Sequence, residues 1–594
     1  MPGALPLTHW FARESSGRPL AGERFKEKLV NCVTKCNLSF HQAADEHFRD
    51  LLLHSGPLVA NLLPAANTVR AWIISTFKER RMDVKASLAS ARSRINLSFD
   101  GWSAPNGYHL LGVVGHWIDK DWRLQRALLS LTRLYGAAGE EDIEPALSAV
   151  ITFYDLGNKL GAFQMDNATN NDTALRALAE RWPINVQEQR LRCFGHIVNL
   201  VVKALLFGEG LSKFQKDIAS ANDDEQYKLW RKQGAIGKLH NIVVYITRSH
   251  KRAQAFSAVQ LEAADDINYF ALKLKKDLGV RWNSVYTMIE RALKLQGAID
   301  LYCAKWKKEP DSKYDLTADF LDEIDWEELR DFRDLLKPFY IVTKRVEGHP
   351  TNGAYGAIWE VLPAFNYLFN KVQKAAKDVI ANTKLYSEHY ESCLNCGFEK
   401  LKEYYTLTDN SRLYRAAVAL HPGKRFHWFE LTWIKEQDGE RDIANAKEAV
   451  KSLWQQFVEE LPTPAVPPAP LIRAQQTDND VDSDDEDYLA AFSSFTNDPT
   501  SEADRRQRME AEFDTFINSS IAIDRECTDK PLQWWIDIGE PLYPTLASLA
   551  YSLFSIPGMS AECERAFSHA KKLVTEERFR LKEDIIEADQ CVKS

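Results

Sequence analysis

With 594 residues, 45% of them apolar and 27% charged, the chain is too long for a single small fold and too hydrophobic to be disordered throughout. Its net charge of −9 does not exclude an anionic partner, because charge is segregated: seven acids fall between Asp478 and Asp487, whereas residues 190–310 carry 21 Lys and Arg against 12 Asp and Glu. Nine cysteines in no dense or regular array exclude a secreted disulfide framework and predict free thiols in a reducing compartment. No basic segment followed by an apolar core opens the chain, and no apolar run approaches the roughly 18 residues of a membrane span, so neither a signal peptide nor a membrane partner is expected.

Residues 21–92 place apolar side chains at helical spacing, with Phe40, Phe48, Leu51 and Leu52 in one stretch and Val69, Trp72, Ile73 and Phe77 in another, and predict helices. From Arg94 the period changes. RINLSFD, YHLLGVVGHWI and WRLQRALLSLTRL are rich in β-branched, aromatic and Leu residues and are separated by Pro105-Asn106-Gly107 and Asp119-Lys120-Asp121, which predicts three antiparallel strands. A helix over 140–156, a strand at KLGAFQMD, a helix after Asn171 and a short strand at LRCFG follow, giving the order β-β-β-α-β-α-β.

From His196 to about Glu460 the patterns are helical. Five prolines between Pro462 and Pro470 and then the acidic run predict a solvated linker over 461–504, because proline removes backbone donors and dense like charge repels. Helices return near Leu546–Leu553 and Ala561–Leu573. The expected fold is α/β plus all-α: a helical region over 1–92, the first part of a mixed-sheet core over 93–195, a helical insertion over 196–460, the linker, and a C-terminal region over 505–594 that completes the core.

Asp100 ends the first predicted strand and Asp166 the fourth, so two carboxylates stand at the ends of strands able to lie side by side, where sheet proteins place ligands. Asp-Gly and Asp-Asn are also ordinary turn chemistry. A third carboxylate must come from SIPGMSAECERAFSHAKKLV, where Pro557 and Gly558 break one helix and Ser560 is the expected N-cap of the next. The apolar stripe of that helix is Cys563, Ala566, Phe567, Ala570, Leu573 and Val574. Glu562 and Glu564 flank it on opposite sides, so periodicity does not choose between them, and both also suit the positive end of the helix dipole. Three carboxylates on β-β-β-α-β-α describe an RNase H-like core with an oxygen-only donor set of the kind that holds two Mg²⁺ ions in phosphodiester chemistry.

The segments SFDGWSAPNGYHLLGVVGHWI, MDNATNND, RCFGHIVNLVV, RWNSVYTMI, LLKPFYIVTKRVEG and WW…YPTLASLAYSLFSIPGMSAECERAFSHAKKLVTEERFRL closely resemble the hAT superfamily of DNA transposases, from about Phe25 onward. The C-terminal block is specific, combining the Trp pair, the YP-x-L helix, the IP break, the ER-x-F-S helix and the basic R-x-R-L tail in one order. The resemblance implies an RNase H-like core interrupted by a helical insertion and an acidic triad of Asp100, Asp166 and Glu564, the glutamate being the one followed by Arg. It implies Mg²⁺ or Mn²⁺ as cofactor, cleavage and strand transfer at transposon ends, DNA and self-association as partner relations, and a nuclear location. A non-catalytic DNA-binding or dimerising descendant is the alternative, and an RNase H-like nuclease acting on RNA or hybrids is a third.

Trp282 in GVRWNS matches a family Trp that stacks on an exposed base, or else is core; Arg281 beside it is positioned to meet phosphate, or is a surface charge. Cys193 and His196 match the family's C-x-x-H motif, which as half a zinc site at most is read as active-site packing and hydrogen bonding. Cys393 with Cys396, and Cys32 with Cys36, are read as helix packing. Lys228, Arg231 and Lys232, then Arg248, Lys251 and Arg252, then Lys273, Lys275 and Lys276 are expected to form a phosphate-tracking surface. Trp534, Trp535, Tyr543, Leu546, Leu549 and Leu553 exceed what two short helices need and are assigned to a dimer interface, with part of them against the sheet. No Cys and His at the spacing of the family's BED zinc module precede Phe25, and both ends are expected to be clipped relative to the family.

Overall fold

The computed structural model describes residues 22–55, 57–135, 143–263, 271–277, 282–308, 314–348, 356–381, 386–436, 438–461, 502–519, 529–575 and 578–594. The predicted linker therefore lies almost wholly outside the described residues. The chain forms two compact units, one of residues 1–411 with 555–594 and the other of 412–554. Compactness thus divides the chain at other places than the sequence patterns do.

The first unit is built on a five-stranded mixed sheet of order β3-β2-β1-β4-β5, comprising β1 (Ile95–Ser103), β2 (His109–Ile118), β3 (Leu124–Leu134), β4 (Leu160–Met165) and β5 (Arg190–Arg192). β1, β2 and β3 pair antiparallel, while β4 lies parallel to β1 and β5 parallel to β4. This is the RNase H-like order. β1 runs three residues past Asp100, whose register partner on β2 is Gly112. Asp100 therefore sits within the strand rather than at its end: Gly-Trp-Ser looks like a turn in sequence, but β2 offers backbone partners as far as Ser103.

Alternation along β1 separates two layers. Leu97 and Phe99 join Leu111, Val113, Phe163 and Met165 in a core covered by α3 (Ile143–Tyr154) and α4 (Thr169–Ala179). Asn96, Ser98 and Asp100 take the opposite face, where α12 (Ala561–Leu573) packs. There Cys563, Phe567, Ala570 and Val574 of the predicted stripe meet Leu110, Val114 and Leu128. The helix begins after the Pro557-Gly558 break, has Glu562 and Glu564 in its first turn and ends with Lys571 and Lys572, charges that suit its dipole. Ser560 holds the N-cap position, but its side chain makes no capping bond, and its backbone N–H points instead to the Cys193 thiol at 3.4 Å.

N-terminal helices α1 (Gly22–Cys36) and α2 (Ala66–Ala89) share a core with the C-terminal helix α13 (Glu583–Lys593), through Val33, Val69 and Ile73 against Ile585, Ala588 and Val592. After β5 the chain turns helical, in agreement with the sequence reading: α5 (Phe194–Phe207), α6 (Asp223–Arg231), α7 (Gly234–Thr247), α8 (His250–Ala263), α9 (Trp282–Lys294), α10 (Glu323–Val346) and α11 (Glu388–Thr406) are its main members in this unit. No single described helix is long and apolar enough to cross a membrane.

The second unit is helical. Its core includes Trp454, Phe513, Phe516, Trp534 and Trp535, and the Trp535 indole N–H donates to the Leu420 carbonyl at 2.9 Å. All six residues assigned from sequence to a dimer interface, Trp534, Trp535, Tyr543, Leu546, Leu549 and Leu553, are at most 5% exposed. They are core of this unit rather than an interface. The excess of large apolar surface was real, but helices contributed by 412–460 and 502–518 absorb it within the chain.

Candidate active site

The parallel pairing of β1 with β4 determines where two of the acids stand. Ser98 is in register with Gln164, and Asp166 follows directly after the end of β4 at Met165. Side chains two apart on a strand share a face, so Asp100 follows Ser98. Ser98 meets Cys563, whose sulfur lies 3.7 Å from its hydroxyl, and the Gln164 amide donates to the Gly558 carbonyl at 3.2 Å. Asp100 thus belongs to the face that α12 covers, and Asp166 stands at the end of the neighbouring strand.

Glu562 and Glu564, which periodicity leaves equivalent, have different surroundings. Glu562 is bound by Arg126 of β3 at 2.7 Å and by Arg565. Glu564 is exposed and lies towards the other end of the sheet, where its charge helps to hold up the Cys193 thiol, a group raised chiefly by complete burial. Asp100 acts in the same way on Cys563, again second to burial. His196, in the first turn of α5, is pushed down by burial and partly restored by the charge of Asp166. Each of the three acids accordingly has an electrostatic neighbour in the Cys193, His196 and Cys563 cluster.

Asp166 is held more firmly than a turn aspartate. Its Oδ1 accepts from the Ala168 N–H at 2.9 Å and from the Asn171 amide at 2.6 Å, and Asn171 is buried. Arg190 of β5 is bonded to Asp172 and donates to the Asp166 carbonyl at 3.4 Å. Asp100 Oδ1 accepts from the Gly101 N–H at 2.8 Å. Asn171 and Arg190 were not singled out in sequence, although Asn171 lies inside MDNATNND; what identifies it is its burial beside a carboxylate, which no spacing reveals. Beneath this face the His116 imidazole, 2.9 Å from the Ser98 hydroxyl, is pushed down to about 3 by burial and then by Arg126, so it is neutral.

Carboxylates on one face constitute a donor set suited to Mg²⁺ or Mn²⁺. Among the described residues, however, no group of three His, Cys, Asp or Glu side chains is placed to hold a metal ion. The expected residue types fit the ion, while their side chains stand apart.

Of the residues expected to meet DNA, Arg281 lies outside the described residues. Trp282 is 4% exposed and lines a cavity of about 270 Å³ together with Phe207, Phe214 and Trp230, so its ring is core here rather than an open stacking face. Arg231 makes a two-pronged pair with fully buried Asp319, at 2.8 and 2.7 Å, which also accepts from Asn241. Arg248 pairs with Asp223, and Arg252 lies 3.8 Å over the Tyr245 ring. These three arginines brace the helical insertion. Lys228, Lys232, Lys251, Lys273, Lys275 and Lys276 are exposed.

A mixed sheet of this order with a helical insertion after its fifth strand and a C-terminal helix returning to the face of Ser98 defines an RNase H-like core. Family models match along the chain in that order: the ZBED1 RNase-like domain over residues 98–193, the ZBED1 RNase-like helical domain over 191–332 and the hAT family C-terminal dimerisation region over 512–594. The chain belongs to the hAT family. It is 23% identical, over 94% of its length, to tpeD of Talaromyces stipitatus, whose name proposes a transcriptional regulator, and covers 60% of that protein. It is 23% identical over 89% of its length to a Zea mays protein whose name proposes an AC transposase, again covering 60% of it. To the zinc finger BED domain-containing protein RICESLEEPER 2 of Oryza sativa subsp. japonica it is 20% identical over 89% of its length, covering 68% of that relative. The chain thus spans about 60% of the length of the first two relatives.

Proposed function

We propose that this hAT transposase-derived protein cleaves and transfers DNA strands in a reaction dependent on Mg²⁺ or Mn²⁺, with Asp100, Asp166 and Glu564 as the metal-holding acids. The observation that carries this reading is the seating of α12, with Glu564 in its first turn, on the face of β1 that bears Asp100, beside the strand β4 that Asp166 directly follows. A divalent ion held there would stabilise charge on the attacking and leaving oxygens of a phosphodiester. Asn171 and the Ala168 N–H orient Asp166, and Arg190 ties its backbone to α4. Arg126 and Arg565 bind Glu562, and the resemblance to the family, in which the glutamate followed by Arg serves, selects Glu564 as the glutamate of the site. The exposed lysines of the insertion supply phosphate contacts, and self-association, to which the matched dimerisation region points, pairs two such chains. DNA as substrate places the protein in the nucleus.

Nicking of supercoiled plasmid by the purified chain tests this. Activity with Mg²⁺ or Mn²⁺ that Asp166→Asn and Glu564→Gln each abolish is the expected result; full activity in either variant would falsify it.

The second reading is a non-catalytic DNA-binding or dimerising descendant. It is favoured by the spread of the three acids, none of which joins a group placed for a metal ion, and by the likeness to a protein named for transcriptional regulation. Folded protein that binds DNA and never nicks it is the outcome this reading requires.

A further inference from the structure

Within the helical insertion, His389, Cys393 and Cys396 follow one another at i, i+4 and i+7 on α11 and so share a helix face. The His389 Nε2 lies 3.7 Å from the Cys393 sulfur and its Nδ1 lies 3.2 Å from Glu328 Oε1 on α10. Glu328 is itself held by the Ala235 N–H at 3.3 Å and by the Ser387 hydroxyl. Gly234, with φ of +60°, closes over this pair: a Cβ there would come within 2.8 Å of both Glu328 Oε1 and His389 Nδ1. At the end of α5, a Cβ on Gly208 would stand 3.8 Å from the Cys393 sulfur and 4.0 Å from that of Cys396, so the two sulfurs border one spot. Cys393 is 2% exposed and Cys396 is half-buried.

A sulfur, an imidazole and a carboxylate in series make the arrangement that turns a thiol into a nucleophile. Burial alone would lower His389, but its bonds to Cys393 and Glu328 outweigh burial and raise it to about 10, so the ring is an imidazolium at neutral pH. Helix geometry sets residues three apart at about 5 Å between Cα atoms. That separation lies inside the roughly 4.4–6.8 Å that a disulfide spans. The C-x-x-C that sequence spacing assigns to helix packing therefore has an imidazolium beside one sulfur and a second sulfur one turn along the same helix face.

We propose that Cys393 and Cys396 are a peroxide-sensitive thiol pair that closes reversibly to a disulfide. The Cys393 thiolate attacks one oxygen of hydrogen peroxide; the S–O bond forms as the O–O bond breaks, and the departing hydroxide takes the proton of His389 to leave as water. Sulfur has then lost two electrons and the peroxide has gained them. The Cys396 thiol next attacks the sulfenic sulfur of Cys393, the S–S bond forms, the S–O bond breaks, and hydroxide leaves with the Cys396 proton as a second water. A dithiol reductant restores both thiols. This chemistry does not depend on the reading of the acidic face.

The test uses the full chain, reduced and then exposed to limiting hydrogen peroxide, with peptide mapping by mass under non-reducing conditions. Cys32 and Cys36, exposed on α1, are the internal comparison. Cys393 and Cys396 are expected to lose two hydrogens together before either comparison thiol is oxidised. Cys396→Ser is expected to stop at a Cys393 sulfenic acid that a cyclic 1,3-dione traps. His389→Gln is expected to slow oxidation of Cys393 by about tenfold or more relative to Cys32 in the same molecules. Oxidation of Cys32 and Cys36 at the same rate or first, or equal trapping of Cys393 with and without His389, overturns the proposal. If His389→Gln does not fold, the order of oxidation in the unaltered chain and the Cys396→Ser trap decide it.

Discussion

Single hydrogen bonds separate the acids from their look-alikes. Asn171→Ala removes the amide that holds Asp166 Oδ1 without touching the core around Phe163 and Met165. Loss of such a supporting partner costs about 10–100-fold. Plasmid nicking should fall by that order while thermal unfolding stays near the unaltered value; unchanged nicking would remove Asn171 from the site. Glu562→Gln should retain nicking where Glu564→Gln does not, because two arginines already occupy Glu562. The reverse pattern would exchange the two glutamates. The position of Asp166 at the end of β4 and the apolar stripe of α12 were legible in sequence, whereas Asp100 was read as a strand end and lies within β1. Sequence offered a choice between the glutamates only through the family motif, because Arg126 and the Cys193 thiol come from distant segments that spacing cannot supply. The same blindness applies to Arg231 and Arg248, whose partners lie 88 and 25 residues away, and which read as open charges until Asp319 and Asp223 are seen beside them.

Among the elements, α12 makes its closest approach to the sheet where β2 carries no side chain. A Cβ on Gly112, directly across from Asp100, would lie 2.9 Å from the Phe567 ring. Gly112→Ala should therefore lift or tilt α12, lowering stability by about 1–3 kcal/mol. Denaturant unfolding checks the first effect and loss of nicking the second, since Glu564 moves with the helix. α13 contains the chain's other revealing group. Asp589 is 3% exposed, and burial, only partly offset by Lys593, Arg578 and Gln590, raises it from 3.8 to about 7. The folded chain therefore holds that proton more tightly than the unfolded chain does. The contribution of Asp589 to stability is greatest below the ordinary carboxylate range, falls as pH rises towards 7 and is level above it, by an upper bound of roughly 4 kcal/mol. Asp589→Asn should raise the unfolding temperature near pH 8 and leave it nearly unchanged near pH 4; a pH-independent effect would show that the proton is not the cause. Strands and helices were readable because their periods differ and turn residues punctuate them. The extension of β1 past Asp100 was not, because a ladder partner overrides local turn preference.

For the molecule as a whole, apolar abundance in the Trp534–Leu553 segment was plain in sequence, but which surface would cover it was not. It is covered from within, so Trp535→Ala should act first on folding, costing about 3–5 kcal/mol in the unit that contains it. Calorimetry should show loss or weakening of one transition, with any change in sedimentation following that loss; dissociation of an assembly with the transition intact would return Trp535 to an interface.

The sheet is complete by Arg192, whereas the helix that covers the face of Ser98 and Val114 begins at Ala561, and α13 closes the N-terminal helices only after Lys582. At about 5–20 residues per second, a ribosome needs roughly 20–70 s to make the intervening chain. Throughout that interval the acidic face is uncovered, and the nascent chain carries Asp100 and Asp166 but not Glu564. Until α12 emerges, the growing polypeptide lacks Glu564, the third acid of the proposed site, and its dependence on chaperones should be concentrated in the same period.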